Sequence, residues 1–302
     1  MNKRNVKSAK IKDNIAFILM LLPTYILLFM FSYLPMGGIV IAFKDYRYAD
    51  GIFGSKWNGF DNFKYFFTSN DAMMLVRNTL LYNIVFIVLG IICAVGVAVI
   101  LNEINSKMAL KYYQTAMILP YFMSWVIVAY IFYVFLDPNF GILNKALGLD
   151  ISWYTEKKFW PFILVFANIW KKIGMDSIVY YAALMGIDPS LYEAARIDGA
   201  TRWQQHKAIT IPELKSVVAI LLILAVGGIF HGDFGLFYQL PMNVGVLYPV
   251  TDVLDTYVYR GLTTGDFGAN AAIGLFQSVV GLITVVASNA IVKRLDENSA
   301  LF

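Results

Sequence analysis

The chain has 302 residues, of which 59% are hydrophobic and only 15% charged, and its mean hydropathy is +0.64. A soluble domain has about a quarter of its residues charged, so the composition is that of a membrane protein. The net charge of +4 includes no basic block long enough to track phosphates, and a single cysteine, Cys93, permits no internal disulfide, so a nucleic-acid surface and a disulfide scaffold are both excluded.

A spanning helix needs about 20 mostly apolar residues. The basic start MNKRNVKSAKIKDN leads into an uncharged run from Asn14 to Phe43. That run is too long for the apolar core of a signal peptide, which is about 7–15 residues. We read residues 1–13 as a cytoplasmic N-terminus and 14–42 as a retained first span. The second span is 78–101. The third is 113–136, with Pro120 inside it. The fourth, 160–186, is unusual in containing Lys171, Lys172 and Asp176. The fifth, 217–239, is weakened by Gly227, Gly228, His231 and Asp233; the sixth is 268–292, followed by a tail at 293–302.

Basic residues set the orientation. With the N-terminus in the cytoplasm, the inside segments hold most of the Lys and Arg, including Lys107, Lys111, Arg196, Arg202, Lys207, Lys293 and Arg294. Both termini are then cytoplasmic, and so is the polar loop 188–215. The outer loops carry Trp57, Phe60, Phe63, Tyr65, Phe66 and Phe67. These suit an interfacial belt or, alternatively, the docking of an external partner.

The loop is the longest polar stretch of the second half: YEAARIDGATRWQQHKAITIPELKS. Asp188-Pro189 is a helix start, and Ser190 with Glu193 has capping-box spacing. Asp198-Gly199 breaks this helix; a second short one follows, and Pro212 is expected to end it before the fifth span. Leu191, Ala194, Ala195 and Ile197 make a short apolar face. Such a segment suits either a partner's groove or the headgroup layer.

At this point the sequence resembles a known family. Glu193-Ala194-Ala195, three residues, Gly199, nine residues, then Ile209-Thr210-Ile211-Pro212 matches the EAA motif of ABC-importer permeases, with Ile211 in place of Leu. The longer form EAARIDGAT is similar to the carbohydrate-uptake, maltose-type branch. The stretch Ile169–Gly199 and DTYVYRGL from Asp255 look like its oligosaccharide and polysaccharide permease subgroup.

The resemblance implies an all-α integral membrane protein with the type I importer architecture and a domain over 14–292. Loop 188–215 is then the coupling helix, with Glu193, Ala194, Ala195, Asp198, Gly199, Ile209 and Pro212 at its contact with an ATPase. It also implies a second permease subunit as heterodimer partner, two cytoplasmic ATPase subunits that bind ATP and Mg, an extracellular substrate-binding protein and a carbohydrate substrate in a bacterial plasma membrane. No cofactor and no metal is expected in this chain itself. No glycine-rich loop ending in Gly-Lys-Ser/Thr is present, so the chain is not expected to hydrolyse ATP.

Lys171 and Lys172 lie near mid-bilayer, where an ionisable group is a functional candidate. Lys172 and Asp176 have the spacing of a pair along one helix. That pairing, a lysine facing the translocation cavity, and a shifted span placing both lysines at the interface all stay open. His231, Asp233, Phe234, Tyr238 and Gln239 follow the Gly227-Gly228 pair and combine polar groups with aromatic faces, as sugar sites do. With Lys171, Lys172 and Asp176 they form the candidate substrate pathway. The rival readings are an ion-coupled secondary sugar transporter or channel, and a membrane enzyme. No internal repeat, carboxylate relay or convergent nucleophile set supports either.

Overall fold

Hydrocarbon offers a backbone no hydrogen-bond partner, so an apolar chain there satisfies its own N–H and C=O groups in helices. The computed structural model of the protein describes residues 17–295 and is helical through most of them. The expected N-terminal segment 1–13 and the tail beyond 295 lie outside the described residues.

The chain forms two compact units. The first comprises the chain up to residue 67 together with 264–275. Its helix α1 (Phe17–Phe43) passes through a π turn at Phe29–Tyr33 into a 3₁₀ stretch, Leu34–Phe43, at Pro35. Strands β1 (Lys44–Asp45) and β2 (Lys56–Trp57) follow as an antiparallel pair, and then helix α2 (Asp61–Thr68). Asn62 donates to the carbonyls of Ala42 and Lys44 at 2.9 and 3.0 Å, tying α2 to the end of α1. The outer aromatics converge here: Phe43 stacks on Trp57 at 5.8 Å and meets Phe60 and Phe63 at 5.4 Å each. Trp57 and Phe60 still keep most of their surface exposed.

The second unit covers 68–263 and 276 onward. Ser69 caps α3 (Asn70–Asn102) by accepting from the Ala72 amide, and 33 residues follow without proline. The helix begins eight residues before the expected span, at the Ser69 cap, and its added turns bury Ala72 and Leu75.

The expected third span is not one helix. α4 (Lys107–Phe122) and α5 (Trp125–Leu136) meet at 100°. Pro120 removes a backbone donor near the end of α4, and Ser124 then caps α5 by accepting from Ile127. A short α6 (Ile142–Leu147) leads to α7 (Trp160–Leu184), which carries Lys171, Lys172 and Asp176.

The polar loop contributes α8 (Pro189–Ile197) and the start of α9 (Arg202–Gly227). Here the structure corrects two expectations. Pro212 does not stop the second loop helix: α9 runs continuously past it, because the π turn His206–Thr210 absorbs the missing donor. The fifth span also ends at Gly227 rather than 239, and residues after it unwind before a π turn at Gly235–Gln239. α10 (Leu254–Thr264) and α11 (Phe267–Leu295) complete the chain, the latter matching the expected sixth span closely.

Among the described residues α1, α3, α9 and α11 are long and apolar enough to cross a bilayer, and the bent pair α4–α5 makes a fifth span if taken as one. α7 has the length, 25 residues, but three charges at its centre. Buried clusters hold the second unit. One joins Tyr82, Val128, Trp160, Leu164, Leu236 and Leu247; another packs Ala94 and Ala98 of α3 against Tyr180 and Leu184 of α7 and Leu214 of α9. The small alanines let the two long helices approach closely.

Candidate functional site

The loop builds a surface helix with defined ends. Asp188 accepts from the Ser190 amide at 2.9 Å and Pro189 occupies the first helical position, as expected. Those backbone and side-chain donations hold the Asp188 carboxyl below the usual carboxylate range. Ser190 and Glu193 form no capping box; Ser190 sits inside the helix. The capping box belongs instead to Thr201 and Gln204, at the start of α9.

α8 stops where Gly199 adopts φ +77°, a left-handed conformation that a Cβ disfavours. The Ala200 amide closes the end by donating to Ala195 O at 2.9 Å. None of the α8 residues is buried. Glu193, Ala194, Asp198 and Gly199 are exposed, as are the apolar side chains of Leu191, Ile197 and Trp203, while Ile209 and Thr210 lie in the π turn that carries the chain to Pro212. The helix thus presents an apolar, small-residue face on the surface of the described residues, tied to the following turn by the Tyr192 hydroxyl, 3.0 Å from Thr210 Oγ1.

The intramembrane candidates separate into groups. Lys171 is buried. Its ammonium donates to Tyr121 O at 2.7 Å and Pro120 O at 3.3 Å, and lies 5.5 and 5.3 Å from the rings of Tyr121 and Trp125. These carbonyls are the negative end of α4, so the lysine caps the helix where it bends. One turn further on, a Cβ on Gly174 would fall 1.9 Å from Met117 O, so only glycine lets α4 and α7 meet here.

Lys172 does not pair with Asp176 along the helix. Its ammonium lies 3.3 Å from Asp233 in the unwound segment after α9. Tertiary folding brings an opposite charge nearer than the helical repeat does. Lys172 and Asp176 line a cavity of about 350 Å³ between α3, α7 and α9, together with Asn83, Asn168, Tyr180 and Leu221. Asn168 is buried, and its Oδ1 has no hydrogen-bond partner.

Around Asp233 the other expected residues gather. Phe234 stacks on Tyr238 at 4.9 Å, and both meet Tyr259 of α10, at 4.7 and 5.1 Å. His231 Nδ1 lies 3.7 Å from Asp255, which also accepts from the Gly232 amide and from Gln277. Asn83 of α3 holds the unwound backbone by donating to the carbonyls of Ile229 and His231 at 2.8 and 3.0 Å. Gln239 closes the π turn. Among the described residues no three His, Cys, Asp or Glu side chains converge to hold a metal ion.

Sequence reasoning missed Asn83, Asn168, Asp255, Tyr259 and Gln277. The two asparagines carried a usable signal, since each is an amide within an apolar run, where a polar group needs a partner. Gln277, an amide within the apolar sixth span, carried the same signal; Tyr259 carried none, because only the fold places it here.

Residues 86–297 match the family of binding-protein-dependent transport system inner membrane components. The chain belongs to that family. This permease is 37% identical over 284 residues to Protein LplB of Bacillus subtilis (strain 168), covering 92% of this chain and 89% of LplB. It shares the same identity over the same length with the polygalacturonan/rhamnogalacturonan transport system permease protein YteP of that organism, covering 92% and 88%. A solved bacterial ABC transporter involved in the import of the acidic polysaccharide alginate superposes with a TM-score of 0.87 at 36% identity, covering 97% of this chain and 100% of that one. A second structure, of the alginate transporter in complex with an alginate pentasaccharide-bound periplasmic protein, gives 0.86 at 37%, covering 95% and 97%. The permease therefore has the type I ABC-importer fold and is a multi-pass membrane component that translocates rather than an enzyme.

Proposed function

We propose that this permease forms half of the translocation pathway of an ATP-driven importer for an oligosaccharide or polysaccharide fragment. Loop 188–215 is the coupling helix, and Glu193, Ala194, Ala195, Asp198, Gly199, Ile209 and Pro212 form its joint with an ATPase subunit. The observation that carries this is α8 itself: a capped helix with no buried residue, ended by a left-handed glycine, displaying the motif in an exposed position. Closure of an ATP-bound dimer then shifts the permease between two states by differential contact, as a rigid-body transition.

The membrane domain, 14–292, crosses six times: α1, α3, the bent α4–α5, α7, α9 and α11. α7 is inside the bundle, where Lys171 is satisfied by carbonyls and Lys172 by Asp233. Both termini are cytoplasmic, the 1–13 and 293–302 segments included. ATP and Mg are bound by the two ATPase partners; a second permease and an extracellular binding protein complete the importer.

The pathway uses Lys172, Asp176, Asp233, His231, Phe234, Tyr238 and Gln239. Lys171 belongs to the support of α4. The Lys172–Asp233 pair supplies donors and acceptors for sugar hydroxyls, and the Phe234–Tyr238–Tyr259 rings supply apolar faces. The names of the relatives make acidic fragments the first to try.

The test is co-purification of the permease with its neighbouring gene products, followed by ATP hydrolysis in lipid and uptake of alginate and polygalacturonate oligosaccharides. An ATPase subunit is expected to co-purify with wild type and to be lost, or to lose stimulation, in Gly199→Asp and Glu193→Lys. If no ATPase associates, the coupling reading fails.

A further inference from the structure

Glu103 follows the last residue of α3, at the helix's negative end, where a carboxylate is disfavoured by the helix dipole. Its presence there is offset by the loop. Glu103 Oε2 contacts the Arg202 guanidinium, and Oε1 lies 3.5 Å from His206 Nε2. His206 Nδ1 is 3.2 Å from Thr210 Oγ1, which lies 3.0 Å from the Tyr192 hydroxyl on α8. Thr210 is buried, and His206 is partly buried, with 15% of its side chain exposed. One polar chain thus runs Tyr192–Thr210–His206–Glu103, from the helix that carries Glu193-Ala194-Ala195 to the end of α3.

The ends of this chain are held firmly. The Thr201–Gln204 capping box and the bond from Gln205 to Ala200 O, 2.9 Å, make the segment after Gly199 stiff. α3, 33 residues long, then leads upward past Ala98 and Ala94 to the cavity, where Gly90, Ile91 and Asn83 form part of the wall. A rigid helix with one end bonded to the loop and its middle in the cavity wall has the geometry of a lever.

We propose that Glu103 is a positioning residue for coupling: by gripping Arg202 and His206 it transmits displacement of the loop to α3 and so to the cavity. The inference rests on the coupling reading of loop 188–215 and adds a second route, beside the covalent one through α9, by which the loop moves the membrane domain. Removing the carboxylate leaves the loop docked and the packing of Ala94 and Ala98 on Leu214 in place but breaks the polar link between the loop and the end of α3.

The test uses the assembled importer in lipid, with Cys93→Ala and Ile91→Cys in the cavity wall, and N-ethylmaleimide as the probe. The labelling rate of Ile91→Cys is compared between nucleotide-free and ATP–vanadate-trapped complex. In the otherwise wild-type complex the rate depends on nucleotide. In Glu103→Gln that dependence falls by at least about fivefold, the lower end of measured coupling strengths, while the ATPase subunits stay bound. The charge exchange Glu103→Arg with Arg202→Glu restores part of it, which a general loss of stability does not do. Equal nucleotide dependence in Glu103→Gln and wild type overturns the role of Glu103 and leaves the coupling loop standing. An ATPase that fails to bind, or a wild-type cavity indifferent to nucleotide, overturns the coupling reading itself. If Glu103→Gln does not accumulate, Arg202→Gln, at a largely exposed side chain, is read by the same criteria.

Discussion

Replacing Lys171 by Met and, separately, Lys172 by Met separates a structural charge from a pathway charge on adjacent residues. Lys171→Met keeps the aliphatic length and removes the ammonium from the end of α4. The bond to Tyr121 O, at 2.7 Å, is charge-assisted, and such bonds contribute about 1.5–3 kcal/mol. The contacts over Tyr121 and Trp125 add about 0.5–1 kcal/mol each. The loss is about 3 kcal/mol. At about 2–4 °C per kcal/mol for a chain of this size, the unfolding midpoint falls by about 6–12 °C. Lys172 pairs with Asp233 across a partly exposed gap, where an ion pair contributes about 0–1 kcal/mol, so Lys172→Met shifts the midpoint by under about 4 °C and reduces uptake instead. The midpoints are read from tryptophan fluorescence in detergent. Spin labels at Tyr113 and Val134, both exposed on either side of the bend, report the α4–α5 angle. Equal destabilisation by the two substitutions, or a Lys171→Met protein with the wild-type midpoint and label distance, refutes the capping argument.

Gly174→Ala forces a Cβ to within 1.9 Å of Met117 O, which is backbone and cannot swing away; α4 and α7 must part, costing about 1–3 kcal/mol, seen as a lower midpoint and faster proteolysis near α4. Asn83→Leu removes the donor to the Ile229 and His231 carbonyls, and amide exchange in 228–234 rises while α9 below Gly227 is unaffected. The Asp188 carboxyl is lowered in the folded protein, so its contribution to the α8 cap is complete above the ordinary carboxylate pKa of about 4 and is lost as pH falls through the lowered value. Exchange of the Ser190 amide therefore accelerates at acid pH beyond the intrinsic rate in wild type, and Asp188→Asn, which retains an acceptor without the titration, removes that pH dependence. A pH-independent ratio in wild type sinks this account.

What the sequence by itself determined was whatever rests on local pattern. Uncharged length placed α11 and the far ends of α1 and α3 within a few residues, because a bilayer demands length and apolarity and little else, though α3 begins eight residues before the expected span. Asp188-Pro189 and Asp198-Gly199 marked the ends of α8, since caps act through neighbouring backbone groups. The spacing from Glu193 to Pro212 pointed to the family.

Tertiary structure alone decided where the charges in α7 go. Helical periodicity offered Lys172 a partner in Asp176, four residues on. The fold instead brings Asp233, more than 60 residues away, to 3.3 Å, and gives Lys171 the carbonyls of a helix it does not adjoin in sequence. The 100° break follows the local signals Pro120 and Ser124, but the Lys171 cap and the close approach of Gly174 to Met117 that pack against it cannot be read from the apolar run 113–136. The run of α9 past Pro212 is likewise not written in local propensity, because a single π turn converts a helix stop into a continuation. Local rules act over one or two turns of helix, whereas the partners of Lys171, Lys172 and Glu103 come from packing between helices far apart in the chain.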